Sequence, residues 1–205
     1  MGRRSLATER RRQIIAVTIE AIATYGVRGT TLERVADMAD MARGHVRHFV
    51  GNRDELITDA ARVFFFGDEA MDDKDLDHVA SSAPLVDPSW STDDALDYLF
   101  GYFAAPGSAN AAAFSFADAS RSMPAVHEIV FRAYMGMQTS LIEILRREYP
   151  GASEVQCRRV AYSLLTIGIG NTYLLDFEMS DERNADARTV GEELIAALGE
   201  RTSSL

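Results

Sequence analysis

The sequence predicts an all-α protein of about nine helices, and three observations carry that expectation. Apolar residues recur near every 3.6 positions along most of the 205 residues, and no run shows clear strand-like alternation. Helix-breaking residues cut this pattern into pieces of helix length, at Pro106-Gly107, Met123-Pro124 and Pro150-Gly151. Apolar residues also make up 47% of the chain, enough to fill a substantial core.

The first helix is expected from Thr8, which can cap it, to about Tyr25, with Ile15, Ile19 and Ile22 on one face. Residues 2–7 read as a mobile basic arm. Gly26 ends this helix, because glycine tolerates the left-handed conformation that a C-terminal cap requires. Thr30 and Glu33 have the spacing of a capping box and open a second helix. Its buried stripe is Leu32, Val35, Ala36 and Ala39, and the two alanines let a third helix approach closely. Asp40 and Met41 make the turn. The third helix spans about 43–49, with Val46 and Phe49 facing inward. Gly51-Asn52 breaks it, and Asn52 can cap a fourth helix that begins near Arg53 and fades before Asp72.

Residues 68–90 are rich in Asp, Ser and Pro and read as an exposed connection. Asp73, Asp75 and Asp77 have the opening spacing of a calcium loop. His78 stands where Gly is required and Pro84 where Glu is required, so no metal site is expected. Further helices are expected at 91–104, 108–121, 124–148, 153–178 and 183–200. The helix at 153–178 starts with Ser153 and Glu154. It is apolar on much of its circumference, so it is buried on more than one side, and one of those sides suits a partner subunit.

The formal charge is −10, but it is unevenly spread. Residues 1–57 hold ten Arg against seven acids, a balance of +3, so the remainder holds eleven basic groups against twenty-four acids, or −13. This pattern suits a small DNA-facing head on an acidic body. The single cysteine, Cys157, excludes an intrachain disulfide and fits a reducing cytoplasm. The basic start MGRRSLATERRRQ lacks the apolar run of a signal peptide, and no stretch reaches the roughly 20 apolar residues of a membrane span. A soluble cytoplasmic protein is expected.

Two short helices with a tight turn at residues 30–56 form a helix-turn-helix pattern. The DNA major groove admits one α-helix, and the front of the second helix meets base edges there. Arg43, His45, Arg47 and His48 cannot all face the core of so short a helix. Arg can bond two acceptors on guanine, and His can donate to one. Gly44 allows close approach of DNA. Arg53 and the amide-rich start of the second helix at Thr31 are placed for phosphates.

These residues together resemble the tetracycline-repressor (TetR) family of bacterial transcription regulators. The resemblance rests on the Arg-rich first helix with its Ile stripe, on Gly26-Val27-Arg28-Gly29-Thr30-Thr31, and on Val35-Ala36. It closes with His48-Phe49-Val50-Gly51-Asn52-Arg53-Asp54-Glu55-Leu56, and it covers roughly residues 10–56. Three positions depart from the family pattern. Asp40 replaces the usual turn Gly. Ala42 replaces the usual capping Ser or Thr, a loss worth about 0.5–2 kcal/mol. Arg47 replaces the common phosphate-binding Tyr, and either a phosphate or a base can be its partner.

The resemblance implies a head at residues 1–52 and a helical domain at 53–205 that binds a small molecule and forms a homodimer through its last two helices. It implies a repressor that binds a palindromic double-stranded DNA operator and is released by an inducer. Phe65, Tyr98, Phe103, Phe116, Phe131, Tyr134, Gln138 and Asn171 are the candidate ligand contacts, from an inventory of aromatic and a few polar residues. No cofactor or membrane partner is expected. Nor is an enzyme: the four His are scattered, and the sequence has no HExxH, P-loop or dinucleotide loop. Two alternatives stand beside this one, a DNA-binding regulator without a ligand and an all-α small-molecule-binding protein.

Overall fold

A computed structural model describes residues 2–200 apart from 72, 74, 83, 106 and 179, and leaves out the side chains of 2–5 and 200. Among the described residues the regular structure is entirely helical. The α-helices are α1 (Gly2–Gly29), α2 (Leu32–Met38), α3 (Arg43–Val50), α4 (Arg53–Phe66) and α5 (Leu76–Ser82). They continue with α6 (Thr92–Asp97), α7 (Ser108–Ala119), α8 (Pro124–Glu148), α9 (Glu154–Leu175) and α10 (Asp181–Glu200). A 3-10 turn at Asp68–Met71 and a π turn at Tyr98–Tyr102 complete the set. The chain divides into two compact units, Met1–Ala83 with Ala111–Ala133, and Pro84–Asn110 with Tyr134–Leu205. The expected break at Pro106 falls outside the described residues.

In the first unit α1 begins at Gly2, so the segment expected as an arm is helical backbone. Its buried face runs through Ile14, Ile15, Thr18 and Ile22, while Ile19 is half-buried. Thr18 fits this apolar face because its hydroxyl donates to the Ile14 carbonyl at 2.7 Å. Gly26 interrupts the helical path with φ 68° and ψ 168°, which L side chains rarely adopt. The cap of α2 falls on Thr31, one residue later than expected. Thr30 is buried and its hydroxyl donates back to the Gly26 carbonyl at 2.9 Å. Thr31 has extended backbone, and its hydroxyl oxygen accepts the Arg34 amide at 3.2 Å.

α4 opens with a reciprocal capping box: Asn52 accepts the Glu55 amide at 3.0 Å, and Glu55 accepts the Asn52 amide at 2.8 Å. Leu56, Ile57, Ala60 and Ala61 of α4 are buried and the helix packs on α1. The Arg11–Asp59 ion pair, 2.7 Å, ties the same two helices. The segment read as an exposed connection is partly folded. Ala70, Met71 and Val79 are buried there, in apolar clusters too short to show a period among so many Asp and Ser.

In the second unit, Ser91 and Asp94 cap α6 reciprocally. The Ser91 hydroxyl, then its amide, hold the Asp94 carboxyl below the usual carboxylate range. That capping is therefore complete above the ordinary carboxylate pKa and fades as pH falls through the lowered one. The helix expected at 91–104 changes character at Tyr98, whose carbonyl accepts the Phe103 amide at 2.7 Å, five residues on. The Phe100 carbonyl accepts Asn184 Nδ2 at 2.7 Å, and Asn184 Oδ1 accepts Asn171 Nδ2 at 2.6 Å. This amide chain joins the π turn to α9 and α10 and satisfies polar groups that would otherwise be costly to bury. Around it, Leu99, Phe100, Met137, Leu141, Ile144 and Leu164 form the core. α10 comes close at Gly191, where a Cβ would stand 3.1 Å from Leu164 and 3.3 Å from Phe100. Ser153 caps α9 with Gln156 rather than with Glu154. Burial pushes the Cys157 thiol up, which suits a packing role.

Candidate nucleic-acid interface

α2 ends in a double hydrogen bond that sets the turn into α3. The Met41 amide donates to the Ala36 carbonyl at 2.9 Å and the Asp40 amide to the Asp37 carbonyl at 3.3 Å. This is a Schellman arrangement, with Asp40 at φ 51° in the place glycine usually takes. Ala42 then starts α3 without a side-chain cap.

α3 is only eight residues long, and it is held by what it buries. Val46 and Val50 are buried, on the side of α3 that packs on α1 and on α2, where Ala36 and Ala39 are buried as well. The expected inward pair was Val46 and Phe49. Phe49 is instead half-buried, with the His45 ring at 5.1 Å and the His48 ring at 5.4 Å. The i to i+4 spacing of Val46 and Val50 leaves Arg43, Gly44, His45, Arg47 and His48 on the exposed side. Nothing lies within 4 Å of the place a Gly44 Cβ would occupy, so that side is open. Arg43 pairs with Glu33 of α2 at 2.8 Å. Arg47 makes no ion pair among the described residues.

Arg53 has a second task that the sequence did not announce. Its Nε donates to the Thr30 carbonyl at 2.8 Å and its Nη2 to the Val27 carbonyl, while Nη1 meets Asp54 at 3.2 Å. One guanidinium thus fixes the α1–α2 connection against the start of α4. Thr31 is exposed beside it.

The candidate ligand contacts fall into two groups. In the first unit, Phe65 and the fully buried Phe116 have ring centroids 6.0 Å apart, with Phe64 5.4 Å from Phe116. Phe131 is exposed and stacks on His127 at 6.3 Å. In the second unit, Tyr98 lies 6.0 Å from Phe103 and 5.5 Å from Trp90, with Tyr134 and Gln138 half-buried. Burial, followed by the neighbouring Tyr102 and Tyr134 hydroxyls, pushes the Tyr98 hydroxyl up to about 12. It is therefore a neutral donor at ordinary pH. Asn171 is engaged with Asn184 and lines a cavity of about 590 Å³ on α9 and α10. The other seven candidates do not line that cavity. Leu174, Phe177 and Arg183 do, and none of the three is among the candidate contacts read from the sequence. Phe177 sits past the end of α9, which stops at Leu175 although the helix was expected over 153–178.

Fifty-three residues are 38% identical to the HTH-type transcriptional regulator BetI 1 of Chromohalobacter salexigens, a match spanning 26% of this chain and 26% of that protein. The chain thus covers about a quarter of that relative's length. A TetR-family member from Streptomyces coelicolor A3 matches in structure with a TM-score of 0.66 at 19% identity, covering 91% of this chain and 98% of that one. A transcriptional regulator from Rhodococcus sp. Rha1 gives 0.64 at 18% identity, over 92% and 95%. The multidrug binding protein EbrR, solved with proflavin, gives 0.57 at 18% identity, over 90% and 99%. No protein-family model matches the chain. The molecule is an all-α protein with an amino-terminal helix-turn-helix. More particularly, its fold is that of the TetR type.

The left-handed Asp40 gives a stability test. Asp40→Gly is expected to raise unfolding stability by roughly 1 kcal/mol, read from urea midpoints at unchanged m-value. A variant no more stable than the parent would mean that Asp40 is not strained in the turn.

Proposed function

We propose that the chain is a TetR-family transcription regulator, a non-enzymatic protein that represses by binding a palindromic DNA operator as a dimer and leaves it when a small molecule binds. The observation that carries this reading is the exposed cationic face of α3, seated on Val46 and Val50 and opened by Gly44. Arg43, His45, Arg47 and His48 are the base-reading candidates, and Thr31 and Arg53 lie where phosphates would run. In functional terms residues 1–52 are the head, and residues 53–205 bind ligand and partner. No helix among the described residues is long and apolar enough to cross a membrane, and a DNA partner places the protein's work in the cytoplasm.

The dimer is assigned to α9 and α10 because they expose apolar surface that water disfavours. Tyr162 is 64% exposed and Phe177 73%, with Tyr173 and Leu174 between them and Val190 on α10. Ile167 and Leu194, on the same two helices, are partly covered by the unit's own core. The candidate effector contacts are Phe65, Phe116 and Phe131 in the first unit and, separately, Tyr98, Phe103 and Tyr134 with the polar Gln138 and Asn171 in the second. EbrR, solved with proflavin, supports a flat aromatic ligand as the class to try first. A ligand shifts DNA affinity only by binding the two conformations unequally.

Arg47→Ala is expected to weaken operator binding by about 1–3 kcal/mol in fluorescence anisotropy, and a phosphate contact would also lower the salt slope by about one. Affinity and slope both unchanged would remove α3 from the interface. Tyr162→Asp with Tyr173→Asp should convert the dimer to monomer in sedimentation velocity. A dimer that persists would place the interface elsewhere.

A further inference from the structure

The cavity of about 590 Å³ on α9 and α10 lies wholly within the second unit, and its size suits a small molecule. We propose that it binds an uncharged, flat apolar molecule carrying one N–H or O–H donor, of the indole or phenol kind. The site shares Asn171 with the effector candidates above and none of their aromatic residues, so it rests on that reading only through Asn171.

Asn171 is the key residue. It is nine-tenths buried, keeping 9% of its surface, and it lines the cavity. The direction of its amide is dictated from inside the core. The Phe100 carbonyl can only accept, so Asn184 turns its Nδ2 there, at 2.7 Å, and its Oδ1 toward Asn171. Asn171 must then donate, through Nδ2 at 2.6 Å. Its own Oδ1 is left over: it accepts no hydrogen bond among the described residues and is not a sealed atom. Donation through Nδ2 polarises the amide and strengthens Oδ1 as an acceptor. Water can serve that oxygen, but a ligand that brings its own donor replaces the water without loss and gains the apolar wall besides.

Gly170 is a second, independent observation. It lies inside α9, next to Asn171, where glycine weakens a helix relative to alanine. Close packing does not demand it, because nothing lies within 4 Å of the place its Cβ would take. The space it leaves is part of the cavity. Ile167, Leu174, Leu175, Phe177 and Ala187 supply the apolar wall. The two charged lining residues, Glu178 and Arg183, are exposed and answer one another at 2.8 Å. The interior therefore offers a charged ligand no counter-charge, and desolvating one there is costly. Leu174 and Phe177 also belong to the surface assigned to the dimer, so occupancy would bear on that contact, a consequence that rests on the dimer reading.

The test uses the full-length protein, nitrogen-15 labelled, titrated without DNA. The probes are indole, 1-methylindole, which lacks the N–H, and tryptamine, which adds an ammonium. Indole at millimolar concentrations is expected to shift the amides of residues 166–171 and 183–187 saturably. 1-Methylindole should bind about fivefold more weakly, the loss expected for one neutral hydrogen bond, and tryptamine should also bind more weakly than indole. In Asn171→Ala, indole and 1-methylindole should bind equally, a change of ratio that general loosening of the fold does not produce. Gly170→Leu fills the space while favouring helix, so it should fold and yet lose indole. No saturable shift, a ratio that stays fivefold in Asn171→Ala, tighter binding of tryptamine, or an unchanged indole Kd in Gly170→Leu would overturn the proposal. A parent that binds no indole, with a dimer lost in Gly170→Leu by sedimentation velocity, would overturn it by giving the space to a second copy. Since no DNA is present, failure here is distinct from failure of operator binding.

Discussion

An eight-residue helix with no side-chain cap does not hold together alone in water, and α3 is such a helix. What keeps it in place is the seam of α3 with α2 and α1, in which Val46, Val50, Ala36 and Ala39 are all buried. Around that seam, Asp40 accepts a left-handed turn, and Arg53 locks the α1–α2 connection to α4. Everything cationic on α3 is outward because the inward side is committed to packing. The exposure of Arg43, His45, Arg47 and His48 is therefore a consequence of the core, and the proposed reading of DNA follows from it.

How much of this was legible in the sequence depends on whether local chemistry or tertiary packing decides each residue. The ends of α8 were readable because Met123-Pro124 and Pro150-Gly151 punctuate them. Asn52 was readable as a cap because Glu55 stands three residues on. The cap of α2 was misplaced by one residue, since Thr30 and Thr31 are both competent and only the burial of Thr30 chooses between them. Phe49 gave way to Val50 as the second inward residue, because aromatic contacts to His45 and His48 hold Phe49 at the rim. α5 was invisible, as one buried Val79 cannot set a period.

Side-chain networks were the least legible part. The Asn171 amide is bound to Asn184, which in turn satisfies the Phe100 carbonyl, and neither link has a trace in the sequence. The π turn that sets this geometry has no sequence signature beyond an aromatic run. Arg62 left a trace, a lone charge in an apolar stretch three residues after Asp59, but one charge in a helix is ordinarily solvated. Its burial beside Asp59 is a product of tertiary packing.

The central claim is that α3 discriminates among DNA sequences. The most direct measurement is selection of duplexes from a random pool with the purified chain, followed by competition binding. The account predicts enrichment of a palindromic site that outcompetes its own scrambled version at moderate salt. A pool that shows no enrichment, or a scrambled duplex that competes equally well, would contradict it.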